Sequence, residues 1–335
     1  MTTEELYASI VIPVYDEHES LERLHEKVAT VMNELGRGWE VIYVDDGSTD
    51  GSTQILRDLQ GRDEHVVVVV QRRNYGKSAA LSAGFALAEG EVVITLDADL
   101  QDEPAEIPNL LAKLDDGWDV VSGWKQNRQD PRSKTLPSRL ANYATTMATG
   151  VKLRDMNSGF KAYRRACVKR IRLYGDFHRY IPVLAHFAGF RVTEVPVTHH
   201  ARQFGHSKFG RGRLLRGGLD LLTVLFLSQF GRRPMHLFGG TGAVMMALGF
   251  LINLVLTVQW FQGIRPIGDR PALILGVLLL IMGLQLLTIG LLAELIVSLI
   301  QRMEDPLSLT ARIYRASGTI EPDIQTHLQT PRSLL

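Results

Sequence analysis

Apolar and polar positions along the chain follow two regimes. Over the first 125 residues, apolar runs of strand length alternate with helix-period stretches: IVIPVYDE (10–17), then an amphipathic segment over 20–35 with Ser20 at its cap position, WEVIYVDD (39–46), HVVVVV (65–70) and EVVITL (91–96). Continuous apolar runs suit strands covered on both faces, and the strand–helix rhythm predicts a mostly parallel sheet flanked by helices, an α/β architecture. A helix over 104–114 and a strand over 119–125 continue the pattern. RVTEVPVT (191–198) alternates and contains Pro196, which predicts an edge strand.

The second regime starts after residue 233. Residues 237–261 carry no charge and 272–300 carry only Glu294. Each run exceeds the roughly 20 apolar residues that cross a bilayer, so two transmembrane helices are expected. Before them, 214–230 reads as an apolar-rich helix at the membrane surface, interrupted by Arg216 and Asp220. Glycines recur every seven residues, Gly242 and Gly249 and then Gly276, Gly283 and Gly290, so each set lines one helix face and permits close contact, within one chain or between chains. The tail after Leu307 is polar and is expected to be loosely ordered. The expected organisation is a catalytic domain over 1–210, a basic amphipathic juxtamembrane region over 211–233, two transmembrane helices over 234–302 and a tail over 303–335. Arg211, Arg213, Arg216, Arg232 and Arg233 crowd the approach to the first span, which predicts a cytoplasmic catalytic domain on a multi-pass cell-membrane protein. Arg302 agrees for the tail, while Arg265, Asp269 and Arg270 in the connecting loop weigh weakly the other way.

Composition changes this picture little. The 37 basic and 36 acidic residues leave a formal charge of +1, and no nucleic-acid partner is expected. Cys167 is the single cysteine, which excludes an intramolecular disulfide and fits a reducing compartment. The acidic start MTTEELYASI has no apolar core of signal-peptide length.

The candidate chemistry lies where the strands end. EVVITL gives way to Asp97-Ala98-Asp99-Leu100-Gln101, and on an extended backbone Asp97 and Asp99 share one side. Two such carboxylates suit a divalent cation that also grips phosphate. Glu17 and Asp46 sit at the ends of other strands, where α/β sheets bind ligands. Two apparent motifs fail on spacing. Gly76-Lys77-Ser78 lacks the upstream glycine of a P-loop, since Gln71 stands there, and Gly240-Thr241-Gly242 lies in an apolar span with Met245 in place of the third glycine of a dinucleotide fingerprint. Residues 125–139 carry Lys125, Arg128, Arg132, Lys134 and Arg139 against Asp130 alone, a basic loop suited to a second anion.

IVIPVYDE, VDDGSTDGS, NYGKSAAL, DADLQD, DMNSGFKAYRR and RQFGHSK, in that order, resemble the family 2 glycosyltransferases that load sugars onto polyprenyl phosphate, such as the dolichyl-phosphate mannosyltransferases and bacterial undecaprenyl-phosphate glucosyltransferases. The resemblance covers about residues 8–232 and implies a GT-A fold and inverting transfer from a nucleotide sugar. It implies that Pro13, Tyr15, Glu17, Val44 and Asp46 hold the base and ribose, with Asp97 and Ala98 beside the nucleotide. Asp99 and Gln101, with Asp97, would hold Mg²⁺ or Mn²⁺ on the diphosphate; Lys125, Arg202 and Lys208 would meet its phosphates. Arg128 and Arg139 match residues assigned to the lipid phosphate, and Asp155 matches the one proposed as catalytic base. A phosphate monoester has a second pKa of about 6 and is largely ionised at neutral pH, so orienting Arg128 or Arg139 is the alternative role for Asp155. The resemblance favours UDP-glucose as donor, with GDP-mannose as the alternative, and implies a homo-oligomer, in the family a tetramer. A glycosyltransferase with a hydroxyl acceptor, and an inactive membrane scaffold or flippase, are the competing readings.

Overall fold

The computed structural model describes residues 6–125, 145–147, 149–200, 221–226, 234–264, 266, 268–303, 310–315 and 318–320. The chain divides into two compact units, one of Met1–Val224 together with Asp305–Leu335 and one of Leu225–Glu304.

The first unit is built on a nine-stranded sheet in the order β7-β5-β6-β4-β1-β2-β3-β8-β9. Its strands are β1 (Ala8–Val14), β2 (Trp39–Asp45), β3 (Val66–Gln71), β4 (Val92–Thr95), β5 (Val120–Lys125), β6 (Lys161–Arg164), β7 (Val192–Val197), β8 (Thr310–Arg315) and β9 (Gly318–Ile320). The apolar runs become the central strands for the expected reason. Ile10, Val11 and Ile12, on alternating faces of β1, have no exposed surface, because helices cover both sides. Helix α1 (Leu21–Leu35) buries Leu21, Leu24, Val28 and Met32 at helical spacing and ends at Gly36, whose φ of 63° takes the left-handed turn that stops it. Ser20 precedes that helix but does not cap it: its hydroxyl donates to the Glu17 carbonyl instead of accepting a helix N–H. Helices α2 (Ser52–Arg62), α3 (Lys77–Leu87) and α4 (Ile107–Asp115) follow β2, β3 and β4, and α5 (Arg165–Arg170) and α6 (Ile181–Phe187) fall between β6 and β7.

The sheet is more mixed than the rhythm predicts. β1 pairs in parallel with β2 and β4, β2 with β3, and β5 with β7. β6 is antiparallel to both β4 and β5. β7 lies at the sheet edge, as Pro196 requires. The expectation of a loosely ordered tail is corrected at the opposite side, where β8 pairs antiparallel with β3, Val69 opposite Ile313, and β9 turns back on it. An open edge strand such as β3 exposes a row of unpaired amides, which a polar segment can satisfy as well as an apolar one.

The second unit contains α7 (Pro234–Phe261, 28 residues) and α8 (Pro271–Met303, 33 residues). Both are long and apolar enough to cross a membrane. The glycine faces meet within the chain. A Cβ on Gly242 would stand 2.6 Å from the Gly283 carbonyl oxygen, and one on Gly249 would stand 2.6 Å from that of Gly276. The seven-residue spacings therefore zip two antiparallel helices backbone to backbone, which only glycine permits at that distance.

Candidate active site

Because β4, β1 and β2 are parallel neighbours, the turns that follow them leave the sheet on the same side. The turn after β1 is tied to that after β2: Asp16 N–H donates to Ser48 Oγ at 2.9 Å, Thr49 N–H to Asp16 Oδ1 at 2.8 Å, and Glu17 N–H to Ser52 Oγ at 3.1 Å. Asp16 holds a left-handed φ of 49° within this lacing. Asp46 accepts the backbone N–H of Tyr75 at 2.7 Å and of Gly76 at 2.8 Å, which pins the loop entering α3. Its burial raises its pKa even against those two donors. Pro13 and Val44 are register partners on β1 and β2. Val44 has no exposed surface, so it forms floor, whereas Pro13, Tyr15 and Glu17 are partly exposed.

β4 ends at Thr95, and Ala98 and Asp99 lie in a turn, which corrects the expectation of an Asp-Ala-Asp run extended throughout. The turn is strained: Leu100, buried and without the freedom of glycine, adopts φ 56°. A non-glycine residue in this region costs roughly 1–3 kcal/mol and is concentrated at functional sites. Asp97 and Asp99 consequently serve different neighbours. Asp97 Oδ1 accepts from Lys77 Nζ at 2.5 Å. Burial alone would raise the Asp97 pKa, but Lys77, Lys125 and Lys161 outweigh it and hold the carboxyl at about 2. Asp99 Oδ1 accepts the Gln101 N–H at 3.2 Å, and both residues are partly exposed. Ala98 is buried beneath them.

Antiparallel β6 delivers a further turn to this side. Its first residue, Lys161, is opposite Thr95, so the preceding DMNSGF runs over the end of β4. Thr95 Oγ1 donates to the Gly159 carbonyl at 2.8 Å, and a Cβ on Gly159 would lie 2.4 Å from the Asp97 carboxylate. Glycine at 159 is thus the condition for Asp97 and the Asp155 turn to share the space. Asp155 is 2% exposed. Lys125, at the end of β5, reaches Asp102 Oδ1 at 2.9 Å; burial works against its charge, but Asp102 and then Asp97 raise its pKa. Of the residues singled out from sequence, Arg128, Arg139, Arg202 and Lys208 lie outside the described residues.

Sequence reasoning missed several members of the cluster. Lys77 belongs to the Gly-Lys-Ser string set aside as a failed P-loop; it opens α3 and grips Asp97, while Ser78 Oγ lies 3.0 Å from His178 Nδ1. Burial, and then Lys77, depress the His178 pKa to about 2. Lys161 is 1% exposed and donates to the Ser158 carbonyl; burial and then Lys77 bring its pKa down to about 8. A lysine between Phe160 and Ala162, both apolar, was the available signal. Asp102 and His199 form an antiparallel bridge, with His199 Nδ1 3.4 Å from Asp102 Oδ1.

Among the described residues no group of three His, Cys, Asp or Glu side chains is gathered as a ready-made metal centre. Asp99 and Gln101 offer instead one carboxylate and one amide oxygen on a partly exposed turn. That set fits Mg²⁺ or Mn²⁺ whose remaining positions are filled by water and a substrate's phosphates. A turn of carboxylates with three lysines gathered about Asp97 is chemistry suited to phosphorylated ligands.

Comparison with known proteins makes this specific. The profile of glycosyl transferase family 2 matches residues 9–172. Dodecaprenyl-phosphate galacturonate synthase of Rhizobium johnstonii is 40% identical over 296 residues, 87% of this chain and 88% of that protein. Undecaprenyl-phosphate 4-deoxy-4-formamido-L-arabinose transferase of Salmonella paratyphi B is 37% identical over 290 residues, 86% of this chain and 87% of that one. Glucosyl-3-phosphoglycerate synthase from Mycobacterium tuberculosis, crystallised with Mn²⁺, UDP-glucose and phosphoglyceric acid, superposes with a TM-score of 0.52 at 20% identity, over 67% of this chain and 79% of that chain. The fold is GT-A. The chain belongs to glycosyl transferase family 2 and is a glycosyltransferase.

Proposed function

We propose that the protein transfers a sugar from a nucleoside-diphosphate sugar to a polyprenyl phosphate at the cytoplasmic face of the membrane, with inversion at the anomeric carbon. The observation that carries this reading is the similarity at 40% identity, spanning 87% of the chain and so reaching into the helical hairpin, to a protein named dodecaprenyl-phosphate galacturonate synthase. A lipid acceptor that cannot leave the bilayer requires an enzyme held at its surface, which two apolar helices of 28 and 33 residues suit.

In this reading Pro13, Tyr15, Glu17 and Asp46 hold the nucleoside, with Val44 and Ala98 as the floor behind it. Asp99 and Gln101 hold Mg²⁺ or Mn²⁺ against the diphosphate, and Asp97 stands beside the nucleotide. The cation, when bound, neutralises charge on the departing nucleoside diphosphate. Lys125, Arg202 and Lys208 add positive charge where it develops, without proton transfer. Arg128 and Arg139 take the acceptor phosphate, for which the planar guanidinium is suited. The acceptor oxygen attacks the anomeric carbon as the sugar–diphosphate bond breaks. Asp155, buried beside Lys125 and Lys161, acts as catalytic base for whatever fraction of the acceptor still carries a proton and orients the acceptor-side arginines for the rest.

The sugars in the relatives' names are a galacturonate and a formamido-arabinose, so both join glucose as candidates for the donor. The test is transfer of label from UDP-glucose, UDP-galacturonate, UDP-4-deoxy-4-formamido-L-arabinose and GDP-mannose to undecaprenyl phosphate by the full-length protein in detergent, with Mg²⁺, Mn²⁺ or EDTA. One organic-extractable product that disappears with EDTA supports the proposal and names the sugar. Nucleotide binding without lipid product from any donor refutes the polyprenyl-phosphate acceptor.

A further inference from the structure

The turn that carries Asp99 and Gln101 ends in a carboxylate with no place in the chemistry above. The side chain of Asp102 is 0% exposed. Its nearest side-chain nitrogens are the Lys125 ammonium Nζ at 2.9 Å and the His199 imidazole Nδ1 at 3.4 Å. Burying a carboxylate costs several kcal/mol in desolvation unless it is well paired. A neutral residue would serve the turn itself at lower cost, because the turn is already fastened by other means. The backbones of Asp102 and His199 form a bridge, His200 N–H donates to the Gln101 carbonyl at 2.8 Å, and Glu103 binds Lys27 at 2.7 Å and His200 at 3.0 Å. What the charge adds is its grip on Lys125.

That grip matters because Lys125 has alternatives. Its ammonium lies within the influence of three carboxylates, Asp102, Asp97 and Asp155. Asp97 is already engaged by Lys77 at 2.5 Å. A lysine stem has four rotatable bonds, and an unrestrained ammonium would settle on whichever acid attracted it most. A Lys125 drawn onto Asp97 or Asp155 would mask a group that the substrates need. Lys125 is also the residue at which β5 ends, with Val197 as its partner on β7, so its backbone is fixed and only the side chain needs direction.

We infer that Asp102 is a positioning residue for donor binding, a buried carboxylate that holds the Lys125 ammonium away from Asp97 and Asp155 and presents it to the donor's diphosphate. Asp102 touches no substrate; it acts through Lys125. The inference rests on the proposed nucleotide-sugar chemistry and adds to it a residue outside the Asp-Ala-Asp turn that sets donor affinity.

The test is a double-mutant cycle read by calorimetric binding of UDP, and in parallel GDP, with MgCl₂ to the full-length protein in detergent. Asp102→Asn and Lys125→Gln are each expected to raise the nucleotide Kd about tenfold, in line with the effect of removing residues that orient a ligand-binding group. The double variant is expected to bind no more weakly than Lys125→Gln alone, since Asp102 has no route to the donor except that lysine. In steady-state transfer, Asp102→Asn is expected to raise the donor KM and leave the acceptor KM unchanged, a split that general loosening of the fold would not produce. Unchanged nucleotide Kd in a folded Asp102→Asn protein overturns the inference, as does a double variant whose loss is the product of the two single losses. If Asp102→Asn does not fold, Asp102→Glu, which keeps the charge but displaces it from its place beside Lys125, is expected to raise the nucleotide Kd, and an unchanged Kd in that variant overturns the inference. Wild-type protein that binds neither UDP nor GDP overturns the nucleotide-sugar reading and this inference with it.

Discussion

In the α/β unit Ile10, Val41 and Leu110 have no exposed surface, whereas in the helical hairpin Phe250, Leu251 and Leu292 are more than half exposed. The hairpin turns its large apolar side chains outward and keeps glycines inside, where Gly242 faces Gly283 and Gly249 faces Gly276. The same residue types thus pack in opposite senses within one chain. Water drives apolar side chains together in the first unit. In hydrocarbon that drive is absent, and close backbone approach between helices takes its place. The contrast teaches that a leucine or a glycine has no fixed structural meaning until its solvent is known.

The largest effect is expected in the first unit, at the turn that carries Asp99. Asp99→Ala should reduce sugar transfer about 10³-fold, the scale of losing a main stabiliser of transition-state charge. Its thermal midpoint should stay near that of wild type, and a comparable fall in both would tie Asp99 to folding. A pair of leucine truncations comes next. Leu110→Ala, in the core, should cost about 2–5 kcal/mol, while Leu251→Ala, on the outer face of α7, should cost about 0.5 kcal/mol or less in detergent. Equal costs would mean that the hairpin buries its outer face. At the glycine seam, Gly283→Leu should destabilise the hairpin by about 1–3 kcal/mol through overpacking, read as a lower melting temperature by helical circular dichroism. Gly240→Leu is the control, since a Cβ there meets nothing within 4 Å. A further effect concerns pH. His178 takes up a proton near 6.5 when unfolded but only near 2 when folded, so folded-state stability falls as pH drops below 6.5. From pH 7 to pH 5 that loss is at most about 2 kcal/mol. His178→Gln should flatten the acid side of the stability profile by that amount; an unchanged slope would mean that the imidazole is protonated in the folded protein.

Much of the frame was legible because local pattern suffices for it. β1 to β5 and their helices follow from apolar runs, and the acidic strand ends follow from parallel pairing, which sends every such strand out on one side. What escaped depends on contacts distant in sequence. Lys77 and Asp97 are 20 positions apart, and Ser78 and His178 are 100 apart. β6 is four residues long and begins with a lysine, so little in the sequence marks it as a strand, yet it brings Gly159 onto Asp97. The Asp-Ala-Asp turn was misread as extended because an αL conformation at Leu100 has no signature in a leucine. The glycine periodicity was visible, but the partner of each glycine was not until the two helices were seen side by side.

The pairing of β8 with β3 bears on how the protein is made. Strand β3 is synthesised more than two hundred residues ahead of its outer neighbour, and the whole hairpin is translated between them. While the ribosome delivers α7 and α8, the nascent catalytic sheet carries a bare flank of backbone amides, the kind of surface that recruits chaperones or sticks to other nascent chains. Synthesis is therefore ordered, with both long apolar helices translated before the last stitch of the sheet, and a translation product released before β8 would carry every candidate site residue named above on a sheet still unsealed.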